Sequence, residues 1–278
     1  MDAHELYYGH GTDNALSEAQ WLLVAVLTAA GAGQITEQMP IAPDQLAQME
    51  ALLARRINER IPLAYLLGEA WFAGHCFYVD DRVLVPRSPI AELVVNRFEP
   101  LLANSPDAIL DLCCGSGCIG IACALAFPES RVVLADISTD ALAVAAVNIE
   151  RFGLQDRVTT LQSDLYAAIP GRFDLVLSNP PYVPESEYRD LPGEYRQEPA
   201  IGLVTAQDGL EIPLRILAES GRHLNPAGTL ILETGATWMA LADAVPGLPC
   251  LWLDFEFGGE GVCLLSAQQL QTHYPTNP

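Results

Sequence analysis

From residue 108 onward the sequence alternates short apolar runs with stretches of helical spacing, and this rhythm limits the fold more than any other feature. Strand-like runs stand at 108–112 (AILDL), 131–136 (RVVLAD), 157–162, 173–178, 228–233 (GTLILE), 250–256 and 261–265. Helical spacing marks 117–126, 139–151 and 209–223. Strands that alternate with helices are joined by crossovers, so the expected α/β sheet is mostly parallel and covered on both faces. The GGEG stretch at 258–261 separates the last two strands and suits a hairpin, hence an antiparallel C-terminal pair.

Residues 1–105 read otherwise. Ser17 is the expected cap of a helix written EAQWLLVAVLTAAG and closed by Gly31, and DQLAQMEALLARRINER is a second amphipathic helix. The aromatic and β-branched residues of WFAGHCFYVDDRVLVPRSP predict a hairpin around Asp80-Asp81. Ser88 then caps a helix with Pro89 at its first position. The expected division is a helical unit at 1–70, a hairpin linker and connecting helix at 71–105, and the α/β unit at 106–278, with the boundary in Asn104-Ser105-Pro106-Asp107.

With 278 residues, half of them hydrophobic, the chain can bury a substantial core. Its best apolar stretch, Trp21 to Ala30, falls short of the ~18–20 residues that span a membrane. The opening MDAHELYYGHG has no signal-peptide core, and seven cysteines, an odd number, suit reduced thiols, so a cytoplasmic location is expected. Cys113, Cys114, Cys118 and Cys123 lack paired metal-ligand spacing and read as small buried thiols, with no metal expected. The net charge of −21 argues against general affinity for nucleic acid, which needs clustered Lys and Arg. It is compatible with a basic partner.

Three strand ends carry chemistry. The first runs into Asp111-Leu-Cys-Cys-Gly115-Ser116-Gly117, where glycines let the backbone turn tightly beneath a ligand at a helix N-terminus. The second ends at Asp136, about 20 residues on, placed for a ribose hydroxyl pair. The third ends in Ser163-Asp164, which suits an adenine amino group. Gly115-x-Gly117-x-x-Gly120 also fits the dinucleotide fingerprint, so an NAD-dependent oxidoreductase is a rival at this point. Such an enzyme leaves the next motif unexplained, and no histidine (His4, His10, His75, His223, His273) stands near the motifs.

That motif is Ser178-Asn179-Pro180-Pro181-Tyr182 after the fourth strand, in register with the glycine turn. Asn179 offers a carbonyl acceptor, and Pro180 a carbonyl without an N–H. Two fixed acceptors suit both hydrogens of a planar NH₂ group, and Tyr182 offers it a flat face. An amide nitrogen is a poor nucleophile, and acceptors on its N–H groups stabilise the positive charge that develops as it attacks. A methyl sulfonium, S-adenosylmethionine, is the matching electrophile.

At these residues the chain resembles the class I S-adenosylmethionine-dependent methyltransferases, and more narrowly the HemK/Prm family of protein-glutamine methyltransferases. The likeness extends to RINERIPLAYLLGEAWFAGHCFYVDDRVLVPRSPIAELV, which starts at Arg56, and EYRQEPAIGLVTAQDGL at 194–210. It implies a seven-stranded Rossmann-like sheet, S-adenosylmethionine as cofactor, and a helical N-terminal unit that recognises substrate. By the same resemblance, Asp111, Gly115, Ser116, Gly117, Asp136, Ile137, Asp164, Leu165 and Asn179 would contact the cofactor. Asn179, Pro180, Pro181 and Tyr182 would hold the target amide, and Arg87, Arg196 and Glu198 would meet the substrate near Pro199. Pro86-Arg87-Ser88-Pro89-Ile90-Ala91-Glu92, YYGHGTDN at 7–14 and DLPGEYRQEP resemble the branch that modifies large-subunit ribosomal protein three, a basic substrate. That branch would carry more N-terminal helix than stands before Tyr7. The alternatives are a release-factor glutamine methyltransferase, a nucleic-acid adenine amino-methyltransferase, and a non-catalytic module of this fold.

Overall fold

The computed structural model describes residues 5–31, 34–36 and 38–275; His4 lies outside them. Helix α1 (Ala15–Ala29) packs against α2 (Pro43–Asn58), and a short α3 (Leu63–Leu67) follows. Leu22, Val26 and Leu63 form the apolar seam of this unit. Asn14 rather than Ser17 caps α1: its Oδ1 accepts from the Ser17 N–H at 2.9 Å. An asparagine cap satisfies the same free N–H groups that a serine does.

Strands β1 (Ala70–Phe72) and β2 (His75–Phe77) form the linker hairpin, earlier than expected. Its turn is Ala73-Gly74, both with positive φ (49° and 80°), the mirror-image turn that matches strand twist. Alanine at such a position gave no turn signal. Asp80 instead holds a local clasp, accepting from Arg82 Nε at 2.9 Å and Tyr78 Oη at 2.8 Å. Helix α4 (Ile90–Val95) starts beside Ser88, whose Oγ accepts from the Ile90 N–H at 3.1 Å.

The α/β unit holds β3 (Ala108–Leu112), α5 (Cys118–Ala126), β4 (Arg131–Asp136), α6 (Thr139–Arg151), β5 (Val158–Gln162) and β6 (Phe173–Ser178). A two-stranded flap, β7 (Val183–Pro184) with β8 (Val204–Thr205), lies beyond β6. Helix α8 (Glu211–His223) comes after a short α7 (Glu185–Tyr188) in chain order and feeds β9 (Leu224–Glu233). Then follow α9 (Trp238–Ala244), β10 (Leu251–Trp252), β11 (Val262–Ser266) and α10 (Ala267–His273). The seven-stranded sheet runs β10-β11-β9-β6-β3-β4-β5, with β11 antiparallel to both neighbours and the other pairs parallel. β10 is shorter than the expected 250–256 because Asp254 to Gly261 turn away from the ladder.

Alternation along the strands divides the core. Ile109, Leu134, Leu175, Leu177 and Ile231 face α4 and α5, while Leu110, Leu112, Val176, Leu230 and Leu232 face α8 and α10. Both sheet faces are therefore dry, as covered parallel sheets require.

One buried knot fixes the helical unit over the sheet. Arg56, 1 % exposed, donates through Nε to Glu18 at 2.6 Å, Nη1 to Glu194 at 3.0 Å, and Nη2 to the Tyr7 carbonyl at 2.6 Å. The knot joins α1, α2 and the segment after the Asn-Pro-Pro-Tyr motif.

Candidate active site

Strand register puts the chemistry at one edge. Leu112 pairs with Ser178, and Ser178 with Leu232. Ser178 Oγ donates to the Leu112 carbonyl at 2.9 Å, tying two strand ends together. The residues one step beyond, Cys113, Asn179 and Glu233, thus emerge side by side at the carboxyl edge, where open α/β sheets bind ligands. All three line a cavity of about 850 Å³. Small-molecule sites occupy roughly 300–1,000 Å³, so there is room for a cofactor and the end of an amide side chain.

The glycines at the turn differ in what they do. A Cβ on Gly117 would stand 2.8 Å from Leu134 Cδ1, and one on Gly120 only 2.3 Å from Leu134 Cδ2. Both are needed to seat α5 against β4. Gly115, at φ +53°, has nothing within 4 Å of such a Cβ and lines the cavity. The open backbone is therefore at Gly115 and Ser116. Gly117 and Asp111 lie behind it. Asp111 is fully buried and accepts from the Gly120 N–H at 2.8 Å, with its other oxygen unpartnered among the described residues. Burial pushes this carboxyl up to about 7 against the Gly120 bond. Asp111 is a strut under the turn, not a wall of the cavity.

Asp136 accepts from the Gly115 N–H and the Ser138 N–H, each at 2.9 Å, and burial raises its carboxyl. It both shapes the turn and lines the cavity. Ile137, half exposed, and Leu165, buried at φ +47°, are apolar parts of the same cavity lining. Asp164 sits at the rim and accepts from Arg215 Nη2 at 2.8 Å.

Asn179 lines the cavity, and its side chain makes no hydrogen bond among the described residues. Pro180, Pro181 and Tyr182 line the same wall. Tyr182 is held closely: a Cβ on Gly235 would stand 2.6 Å from its ring, and one on Gly209 2.3 Å from its carbonyl oxygen. Its hydroxyl donates to Glu233 Oε1 at 3.3 Å, while Ser88 Oγ donates to Glu233 Oε2 at 2.5 Å. Glu233 is 4 % exposed; burial pushes its carboxyl up to about 7, partly offset by the Ser88 and Tyr182 bonds.

Arg87 and Glu198 are brought together; Arg196 is not. Glu198 takes both Arg87 terminal nitrogens, at 2.6 and 2.7 Å, the Val85 N–H at 3.0 Å, and meets His10 Nε2 at 3.2 Å. It is 3 % exposed. Burial favours its neutral form, but the bonds from His10 and Arg87 outweigh burial and hold the carboxyl at about 2. Arg87 also lies 5.3 Å over the Tyr195 ring and lines the cavity, which Glu198 and Arg196 do not. Arg196 is exposed and reaches the Arg189 carbonyl.

Glu233, Ser88, His10 and Asn148 also belong to this region, although none is among the expected site residues. Asn148, fully buried on α6, donates to the Ser116 and Tyr78 carbonyls at 2.9 and 3.0 Å and so braces the turn. An asparagine in the apolar stripe of ALAVAAVNIER was the available signal. Cys114, Cys118 and Cys123 are buried free thiols, and burial raises all three. Among the described residues, no three His, Cys, Asp or Glu side chains are grouped to hold a metal ion. No helix among them is long and apolar enough to cross a membrane.

Known proteins match both parts. The methyltransferase small domain family matches residues 91–191, and the PrmC N-terminal domain family matches 8–68. A ribosomal protein uL3 glutamine methyltransferase of Francisella tularensis is 42 % identical over 281 residues, covering 97 % of this chain and 87 % of that protein. One from Bordetella pertussis is 41 % identical over 276 residues, covering 98 % and 93 %. Among solved structures, a Pyrococcus furiosus methyltransferase aligns at TM-score 0.51 and 17 % identity, over 81 % of this chain and 99 % of that one. The hMettl16 catalytic domain, solved with a MAT2A 3′UTR hairpin, aligns at 0.58 and 13 %, over 89 % and 92 %. These likenesses show the fold, an α/β sheet of the class I methyltransferase kind.

Proposed function

Because the chain belongs to the family of ribosomal protein uL3 glutamine methyltransferases, we propose that it transfers a methyl group to the side-chain amide nitrogen of a glutamine in ribosomal protein uL3. The observation that carries this reading is the Asn179 amide, unpartnered among the described residues, which lines the same cavity as the open Gly115 turn. The site fits the cofactor expected of the family. S-adenosylmethionine, when bound, supplies a methyl carbon activated by its positive sulfur. Gly115 and Ser116 offer uncovered backbone to its amino-acid end, Asp136 a carboxylate to its ribose, and Ile137 and Leu165 apolar walls to its base. Asp164 stands at the adenine edge.

Asn179 Oδ1 and the Pro180 carbonyl accept the two N–H groups of the target amide. As the nitrogen gains positive charge these acceptors bind it more tightly, so they stabilise the transition state more than the ground state. The consecutive prolines hold the acceptors in place, which lowers the ordering needed at reaction. Pro181 and Tyr182 close the side of the slot, and Arg87 stands at its entrance. The acidic surface attracts a basic ribosomal protein by long-range steering. The work is done in the cytoplasm, where such a substrate is made.

The test is methyl transfer from labelled S-adenosylmethionine to uL3 and to a peptide-release factor, offered separately, with the methylated residue located by mass spectrometry. Label on a glutamine of uL3 alone is expected. Asn179→Ala should remove turnover while cofactor affinity stays within about threefold, since one cofactor contact is lost among many. Label on the release factor alone would move the substrate to the other branch of the resemblance. A normal rate in Asn179→Ala would overturn the two-acceptor mechanism.

A further inference from the structure

Resting on the glutamine-methylation reading above, we propose that Glu233 is a positioning residue that acts through Tyr182: it turns the tyrosine hydroxyl into an acceptor facing the slot, and through that hydroxyl it takes up the proton the amide nitrogen must lose. Three observations point there. Glu233 lies one step beyond the Ser178–Leu232 pair, so it ends its strand beside Asn179. It lines the cavity together with Ser88 and Tyr182. And both hydroxyls around it, Tyr182 Oη and Ser88 Oγ, aim their only proton at its carboxylate.

A hydroxyl that donates its one proton to Glu233 has only lone pairs left for the cavity. Tyr182 then stands as a further acceptor beside the Asn179 and Pro180 carbonyls. The tyrosine ring packs directly over Gly235, where an added Cβ would stand 2.6 Å from it.

The charge count explains why a buried carboxylate is useful. The methyl carbon leaves sulfur for nitrogen. The carbon–sulfur pair stays on sulfur, and the nitrogen lone pair makes the new bond. The nitrogen would then be cationic. It releases a proton to the Tyr182 oxygen as the Tyr182 proton passes to Glu233 Oε1, and the N–H pair stays on nitrogen. A sulfonium, an amide and a carboxylate become a thioether, a methylamide and a carboxylic acid. One positive and one negative charge vanish together, which a water-poor cavity favours. The acid then loses its proton to solvent through the cavity mouth.

The groups that act on Glu233 are Ser88 and Arg87 from the linker and Tyr182 from the strand end; burial outweighs all three and sets its carboxyl at about 7. A proton acceptor works best near the operating pH. The experiment is kcat against pH at saturating cofactor for the full chain, Glu233→Gln and Tyr182→Phe, with uL3 as substrate and cofactor Kd measured by calorimetry. Wild-type kcat should fall as pH drops through about 7. Glu233→Gln keeps the shape and the acceptor for one hydroxyl but cannot take a proton. It should lose about 10²–10⁴-fold in kcat, the usual weight of proton transfer, lose the acid limb, and keep its KM and cofactor Kd within threefold. Tyr182→Phe should show the same flat profile. A Glu233→Gln enzyme within threefold of wild-type kcat, or one that is slow but keeps the acid limb, would sink the proposal. So would a tenfold loss of cofactor affinity accounting for the whole effect. If wild type leaves uL3 unlabelled, the glutamine-methylation reading fails and this role fails with it, a result separable from the variants.

Discussion

Glu198 shows how the N-terminal segment governs the site, and its removal can be worked out in numbers. The carboxylate joins His10, Val85 and Arg87 within 3.2 Å. In Glu198→Gln one acceptor oxygen becomes an NH₂ that faces guanidinium donors, and Arg87 loses its counter-charge. Two routes give the magnitude. Breaking a buried ion pair by removing one partner costs about 3–5 kcal/mol. Separately, the drop of this carboxyl from an ordinary 4.5 to about 2 is worth about 3 kcal/mol, at about 1.4 kcal/mol per tenfold change in proton binding. The two agree near 3 kcal/mol, or a Tm lower by roughly 6–12 °C for a chain of this size. The sign of the pH dependence follows from a depressed acid. Its contribution is present above about 4.5 and is lost as pH falls through about 2. Thermal melts followed by circular dichroism should therefore show the full gap between wild type and Glu198→Gln at pH 7 and less than half of it at pH 3. A gap equal at both pH values would mean that packing, not charge, was lost. A gap under about 1 kcal/mol at pH 7 would place this pair among those that add nothing to stability.

Other perturbations separate structure from chemistry. Asp136→Ala should weaken S-adenosylmethionine at least tenfold by calorimetry, because the carboxylate also holds the Gly115 N–H. Gly235→Ala puts a methyl 2.6 Å from the Tyr182 ring at a φ of +47°; overpacking of this kind costs about 1–3 kcal/mol, and turnover should fall further than cofactor affinity does. Asp111 and Glu233 both have raised carboxyls, near 7. Their share of stability is present at low pH and is lost as pH rises through about 7, so urea melts of Asp111→Asn should lose part of the wild-type decline between pH 6 and 8.

The fold was legible because a doubly covered parallel sheet leaves a coarse mark. Ile109, Leu110, Leu175 and Val176 are each fully buried, so apolar runs without alternation gave the strands, and helical spacing gave the crossovers. The misplaced hairpin has a different cause. Ala73 holds a positive φ that its residue type does not announce, and the strands around it bury Phe72 and Phe77 in the main core. Tertiary packing chose that turn over Asp80-Asp81, whose polar residues are used in a side-chain clasp.

The site divides along the same line. Residues proposed to act by backbone shape or by sitting at a strand end, such as Gly115, Asp136 and Asn179, advertise themselves, because glycine and a terminal polar residue are costly anywhere else. Residues that act through a distant partner do not. Glu233 closes a run, GTLILE, that any strand could end with, and its meaning comes from Ser88, 145 positions away. Glu198 likewise looks like one more charge in an acidic chain until Arg87, 111 positions off, and the residue 10 segment are seen around it. Local reading carried Arg196 and Glu198 into the site together. Folding sends Arg196 to solvent and Glu198 to the interior, where it holds the arginine that faces the cavity. The electrostatics of the slot are thus set by carboxylates with partners as far as 111 and 145 residues away, and only the closed fold brings them together.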